Sequence, residues 1–313
     1  MVGSAIVRKL NQNGYFNLLI PNRKELNLLD NLSVKDWFKR NKPKVVILAA
    51  AKVGGILANS KYPGDFILEN IKIQTNVIEN AFKNEVQRFL FFGSSCIYPK
   101  FAPQPLKEEY LLTGSLESTN ESYATAKIAG IKLCSSLKMQ YGFDAISLMP
   151  TNLYGPGDNY NLKNSHVMPA LIKKFYDAKL NNHSHVTCWG TGKPKREFLY
   201  VDDLADASIY ILENISSDNK ILYDTKNEFQ GIINIGFGKD ISIKELAELI
   251  SKEFKYDGKI EWDFSKPDGT PRKILDTSKA NQLGWSAKTK IHEGLQKTIE
   301  NYIKVLKVNS IRN

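Results

Sequence analysis

The sequence predicts an α/β fold, a doubly wound parallel sheet followed by a smaller C-terminal lobe. Residues 45–51 are a continuous apolar run, as a strand buried on both faces requires, and 88–93 read as the next buried strand. Helical patterns alternate with these runs through the first 150 residues. After Pro150 the chain turns loop-rich and polar, which marks a second lobe.

The elements follow in order. Residues 1–13 form an amphipathic helix that ends at Gly14, and 17–20 form a short strand followed by Pro21-Asn22-Arg23. A helix over 33–40 leads to the 45–51 strand, and a long helix over 66–83 leads to the 88–93 strand. A helix over 122–140 and a strand over 145–149 complete the alternation. Beyond it come a helix near 168–178, the stretch 196–203 leading into a helix over 204–214, and a short strand over 232–235. Ser242 and Glu245 form a capping box that opens a helix over 243–254, and a last helix runs from about 291 to 306. This divides the chain into residues 1–160, with 197–237 returning to them, and a lobe built from 161–196 and 238–313.

Of the 313 residues 42% are hydrophobic, ample for a core, and no apolar run approaches the ~18 residues of a membrane span. The N-terminus lacks the charged start, apolar core and small-residue cleavage site of a secretion signal, so none is expected. Cys96, Cys134 and Cys188 are odd in number and far apart, which fits a reducing cytoplasm better than a disulfide framework. The net charge is +10, but the lysines are scattered and no basic–aromatic pattern points to nucleic acid. Polyanionic small molecules, or a solvated lysine-rich surface, suit that charge better. No metal site is expected.

A dinucleotide-binding sheet opens with a strand, a glycine turn and a helix whose N-terminus meets the pyrophosphate. Gly3 fits the last glycine of such a turn, with the first strand and earlier glycines missing ahead of it. The expectation is therefore a sheet lacking its first strand, from a truncated start. After the second strand, NAD enzymes place an acidic residue on the ribose. Here Asn22-Arg23 occupies that place, and an arginine suits a 2′-phosphate, so NADP is favoured.

Tyr123 and Lys127 are four apart on a helix and share a face. An ammonium one turn away favours the phenolate, which would make Tyr123 a tuned acid for a carbonyl-to-alcohol step. Alone, that spacing is more often an aromatic packed on a lysine stem. Gly93-Ser94-Ser95-Cys96, however, ends a buried strand at the edge where such sheets hold ligands, so Ser94 can meet a substrate carbonyl beside Tyr123.

Together these residues resemble the GDP-L-fucose synthase family of extended short-chain dehydrogenase/reductases. The resemblance is carried by Ala49-Ala50-Ala51-Lys52-Val53-Gly54-Gly55, by Gly93-Ser94-Ser95-Cys96-Ile97-Tyr98-Pro99-Lys100 and by Tyr123-Ala124-Thr125-Ala126-Lys127. It continues through residues 149–156, Asn164-Ser165-His166-Val167-Met168-Pro169-Ala170, Arg196-Glu197-Phe198 and Ser265-Lys266-Pro267-Asp268-Gly269-Thr270-Pro271-Arg272-Lys273. The resemblance implies a Rossmann domain that binds NADP, and conversion of GDP-4-keto-6-deoxy-D-mannose to GDP-L-fucose. It assigns proton exchange at C3 and C5 to Cys96 and His166, and C4 reduction to Ser94, Tyr123 and Lys127. It places NADPH against Gly3, Arg23, Phe92, Gly93, Ser94, Ser95, Lys127, Pro150, Thr151, Asn152, Leu153 and His166. Lys174, Trp189, Arg196, Asp268 and Arg272 match positions near the nucleotide sugar. A homodimer through a helix pair of the first domain is the family's habit. Left to composition, Cys96 is a small buried hydrophobe and His166 a surface histidine, the reading that His183, His185 and His292 retain. The competing functions are another nucleotide-sugar epimerase or dehydratase, and a cofactor-impaired, non-catalytic Rossmann protein.

Overall fold

A computed structural model describes residues 1–162, 165–266 and 268–307. Asn164 and Pro267 of the motifs above lie outside the described residues. The first half contains α1 (Val2–Gln12), α2 (Asn31–Asn41), β1 (Val45–Leu48), α3 (Ile56–Lys61), α4 (Pro63–Lys83), β2 (Arg88–Phe92), α5 (Glu121–Tyr141), β3 (Ala145–Pro150) and β4 (Asn152–Tyr154). The second contains α6 (Val167–Leu180), β5 (His185–Trp189), β6 (Lys195–Tyr200), α7 (Val201–Asn214), β7 (Ile232–Ile235), β8 (Asp240–Ser242), α8 (Ile243–Glu253), β9 (Lys259–Asp263), β10 (Arg272–Lys273), α9 (Ser278–Gln282) and α10 (Ile291–Lys307).

The main sheet has the order β1-β2-β3-β7, every pair parallel. Alternation along β2 shows why it is apolar throughout. Phe89 and Phe91 join the core beneath α2, α4 and α5, with Val34, Phe38, Ile78 and Ile131. Leu90 and Phe92 join the opposite core beneath α1 and α7, with Ile6, Val201 and Leu204. A third core gathers Tyr154, Phe175, Leu246, Ile250, Leu295 and Tyr302. Around it lie a smaller sheet, β10-β6-β4 with β8 antiparallel on β6, and the parallel pair β5-β9.

The capping box at Ser242 forms as expected, with Glu245 N donating to Ser242 Oγ and Ser242 N to the Glu245 carboxylate. The strand expected at 17–20 does not form. Leu19 is 48% and Ile20 60% exposed. A strand exists through its ladder, and among the described residues β1 is paired along one edge only, with β2. Side-chain preference alone does not hold such a segment.

One buried carboxylate ties the layers together where the site will lie. Glu197 on β6 is fully enclosed, and accepts Gly238 N at 2.6 Å and Leu275 N at 3.0 Å. It thereby joins β6 to the turn after β7 and to the segment after β10. Burial raises its pKa, while these backbone donors oppose the rise.

Candidate active site

The site begins where β2 ends. Gly93 donates its N–H to Leu148 O and passes so close to β3 that a Cβ there would stand 2.3 Å from Met149 Sδ. Only glycine lets the strand turn at that point. Ser94 follows in extended conformation, and its Oγ accepts Cys96 N at 3.2 Å. That bond opens a single 3-10 turn, Ser95–Ile97, which presents Cys96 half-buried instead of sealing it in the core. Cys134 and Cys188 are packing residues, 2% and 1% exposed.

Tyr123 and Lys127 face the same region from the first turns of α5. Lys127 is 3% exposed, donates from Nζ to Phe92 O at 2.9 Å, and lies 4.8 Å from the Phe91 ring centre and 5.9 Å from that of Tyr123. The expected tuning differs from what the structure shows. Burial raises the Tyr123 pKa above that of an ordinary phenol, the negative charge available on Cys96 adds to the rise, and a hydrogen bond with Ser94 opposes it. Burial pushes the Lys127 ammonium down to about 8. Desolvation of both groups outweighs the attraction that sequence spacing alone suggested. Tyr123 is thus held in its proton-bearing form, as a donor to a carbonyl requires.

The Lys127 shift has a consequence for stability. With a folded pKa below the unfolded one, the unfolded chain holds more protons between about pH 8 and 10.5, so stability rises with pH through that window. At neutral pH the buried ammonium costs roughly 3 kcal/mol. Lys127→Met is therefore expected to raise the thermal midpoint by a few degrees while abolishing reduction. Calorimetry at pH 7 and pH 10 checks both signs, because the gain should shrink at the higher pH.

Two donors converge on Cys96. Lys273 Nζ lies 3.3 Å from Sγ, and Asn120 Nδ2 lies 3.5 Å from it. His166 stands exposed at the N-terminus of α6. Its surroundings hold its pKa below the usual imidazole value, desolvation first and the Lys273 charge second. Lys273 thus bears on both candidate proton-exchange groups. The negative charge available on Cys96 also acts on Arg196, whose pKa burial lowers and Asp268 and Cys96 raise. Ser94, Cys96, Tyr123, Lys127, His166 and Arg196 accordingly belong to one site.

Sugar-side candidates flank that group. Trp189 is 51% exposed at the end of β5, with Lys174 Nζ 5.4 Å and Lys266 Nζ 5.8 Å from its ring centre. Lys174 also donates to Thr187 O, and burial lowers its pKa. Asp268 accepts both the N–H and the hydroxyl of Thr191, which holds it below the usual carboxylate range. Arg272 is committed elsewhere: it pairs with Asp240, Nε to Oδ2 at 2.6 Å, on an exposed face.

On the cofactor side, α1 begins beside the carboxyl end of β1. A Cβ on Gly3 would lie 3.8 Å from Ala49 Cβ, ordinary contact, so the helix start sits openly against this sheet edge. Pro150 ends β3, Thr151 is 5% exposed, and Asn152 and Leu153 begin β4. Thr151 Oγ1 and Asn152 Nδ2 both donate to Glu197 O, which fixes this segment. Ser95 is 4% exposed. Arg23 lies on an exposed turn before α2, shaped by the Asn22 and Glu25 side chains. These residues fit a phosphorylated dinucleotide: a helix N-terminus, a cationic turn, and a buried ammonium that spends one of its three protons on Phe92 O.

Sequence reasoning did not single out Asn120, Lys273 or the carboxylate of Glu197. Lys273 and Glu197 stood inside quoted motifs but next to more conspicuous arginines, and Asn120 lay three residues before Tyr123. The β6–β10 pairing, which sets Lys273 opposite Arg196, shows that the 196 and 273 regions meet.

A profile of the NAD dependent epimerase/dehydratase family matches residues 1–236. GDP-L-fucose synthase 1 of Arabidopsis thaliana is 53% identical over 304 residues, covering 97% of this chain and 90% of its own. GDP-L-fucose synthase of Escherichia coli K12 is 50% identical over 303 residues, covering 97% and 94%. Among solved structures, a GDP-mannoheptose C4 reductase from Campylobacter jejuni with NADP bound superposes with a TM-score of 0.88 at 40% identity, over 96% of this chain and 95% of that one. The chain belongs to the NAD dependent epimerase/dehydratase family, on its GDP-L-fucose synthase branch.

Proposed function

We propose that this protein converts GDP-4-keto-6-deoxy-D-mannose to GDP-L-fucose, by epimerisation at C3 and C5 followed by NADPH-dependent reduction at C4. The observation that carries the reading is the meeting of two kinds of chemistry in one site. A half-buried, proton-bearing Tyr123 stands with Ser94, and a half-buried Cys96 stands with His166 through Lys273. Relatives at 50–53% identity are named GDP-L-fucose synthase, after the proposed product.

The C4 ketone acidifies the neighbouring C–H bonds. Cys96 and His166 serve as the acid and base that remove and return those protons on chosen faces. Ser94 then orients the C4 carbonyl, and Tyr123 gives its phenolic proton to the oxygen as the alcohol forms. NADPH supplies the hydride when bound. Lys127, Thr151, Asn152 and Leu153 hold its nicotinamide end, with Phe92, Gly93, Ser94, Ser95, Pro150 and His166 around them. Gly3 receives the pyrophosphate and Arg23 the 2′-phosphate. Residues 1–160 with 197–237 form the cofactor unit, and the rest the sugar lobe. There Arg196 and Lys174 meet the diphosphate, and Trp189 and Asp268 the nucleoside sugar. Arg272 reaches the ligand only by leaving Asp240. We place the enzyme in the cytoplasm as a homodimer joined through a helix pair of the first domain.

Incubation with GDP-4-keto-6-deoxymannose and NADPH tests the reading. Absorbance at the reduced-nicotinamide band should fall in step with formation of GDP-L-fucose. Cofactor oxidation without inversion at C3 and C5 would leave a simple C4 reductase instead.

A further inference from the structure

We propose that Lys273 and Asn120 form a two-donor cradle that stabilises the Cys96 sulfur whenever it carries negative charge in the C3/C5 proton exchange. The inference rests on the reading of Cys96 given above and deepens it.

Exchange at a carbon beside the ketone breaks a C–H bond, forms an S–H or N–H bond on the base, and leaves the electron pair on the C4 oxygen as an enolate. Reprotonation from the other group reverses each change. Whichever direction Cys96 serves, its sulfur is a thiolate at one end of the step. A thiolate needs hydrogen-bond donors or a cation if it is not to depend on water. Lys273 supplies both, with Nζ 3.3 Å from Sγ, and Asn120 Nδ2 adds a neutral donor at 3.5 Å.

Neither contact is incidental to a mobile surface. Lys273 lies on β10, which pairs with β6 in register with Arg196. The next residues are pinned from three sides. Ile274 N donates to the Gln104 side chain, Ile274 O accepts Leu106 N, and Leu275 N donates to buried Glu197. The ammonium is therefore delivered to the sulfur by a braced strand, partly shielded from water. Asn120 precedes α5 but gives that helix no side-chain cap, and its Oδ1 is buried without a partner. Its amide is thus placed for the sulfur and not for the helix. The same Lys273 charge disfavours the protonated form of His166. One lysine thereby faces both partners of the exchange, as a donor 3.3 Å from the sulfur and as a charge that keeps the imidazole neutral.

Deuterium wash-in at C3 and C5 in D2O, with oxidised NADP present, reads the exchange alone. Lys273→Met is expected to slow wash-in by about 10- to 100-fold, the worth of a charged hydrogen bond. It should slow alkylation of Cys96 by iodoacetamide in parallel, with buried Cys134 and Cys188 as internal controls, and leave the NADPH dissociation constant within about twofold. Lys273→Arg should recover much of both rates, and Asn120→Ala should cost about three- to tenfold in wash-in. Wash-in by Lys273→Met within twofold of the unsubstituted enzyme, with Cys96→Ser inactive in exchange, would overturn the cradle and leave the reading of Cys96 standing. Unchanged wash-in by Cys96→Ser would remove that reading and the cradle with it. Equal losses of exchange and NADPH affinity in Lys273→Met would make the lysine a brace for the fold, and would equally overturn the proposal.

Discussion

Tyr123→Phe is expected to stop C4 reduction while proton exchange at C3 and C5 continues. The substitution removes one oxygen and keeps the ring, which packs edge-on to Phe66 with centroids 6.5 Å apart. What is lost is the proton donor. Burial holds that proton on the phenol well above neutrality, and the Ser94 bond orients it. Loss of a positioned general acid costs about 10²- to 10⁴-fold. Single-turnover oxidation of NADPH should therefore fall by about three orders of magnitude, and deuterium wash-in by less than about threefold. Loss of wash-in on the same scale would mean that Tyr123 also polarises the ketone for enolate formation, and the two chemistries would then share their acid. The pH profile bears on the same point. The Tyr123 pKa is raised, so reduction should show no loss from tyrosine ionisation anywhere in the neutral range. Deprotonation of Lys127 near 8 should instead set the alkaline limb, through grip on the cofactor.

Legibility in the sequence followed how local each signal was. Strands β2 and β3 were visible because both of their faces are apolar, and α5 because its pattern runs for five turns before Gly142 ends it in left-handed conformation. The 17–20 segment misled for the opposite reason. Its residues favour a strand, but pairing is a property of the neighbour, and no sequence window contains the neighbour. Tyr123 with Lys127 was legible as geometry, one helical turn, but not as electrostatics. The sign of the tyrosine shift depends on how much of the surrounding protein excludes water, and spacing carries no information on that. Lys273 shows the same limit across the chain. It stands 177 positions from Cys96 and reaches it because β10 joins β6 and the next residues bond Gln104 and Leu106. Arg272 drew attention as a match to a position near the nucleotide sugar, yet it turns outward to Asp240 while its neighbour enters the site.

Cys96→Ser is expected to separate the two reactions in the opposite sense. Serine fills the same place, and its hydroxyl can accept from both Lys273 and Asn120, so the 3-10 turn that Ser94 opens should persist. A hydroxyl gives up its proton far less readily than a thiol. The variant therefore lacks one of the two groups needed to invert C3 and C5, and wash-in there should fall by about 10²- to 10⁴-fold. Tyr123, Ser94 and Lys127 are untouched, so C4 reduction of the unepimerised ketone should become the faster path. NADPH would still be consumed, and the product would be a GDP-6-deoxyhexose that retains the starting configuration at C3 and C5. Ring-proton couplings in the product's NMR spectrum distinguish the two sugars directly. Equal losses of NADPH oxidation and wash-in would contradict the division of labour, because they would place Cys96 in the hydride step as well. The contrast with Tyr123→Phe makes the pair decisive. One variant should exchange without reducing and the other reduce without exchanging, a double separation that general damage to the fold cannot produce.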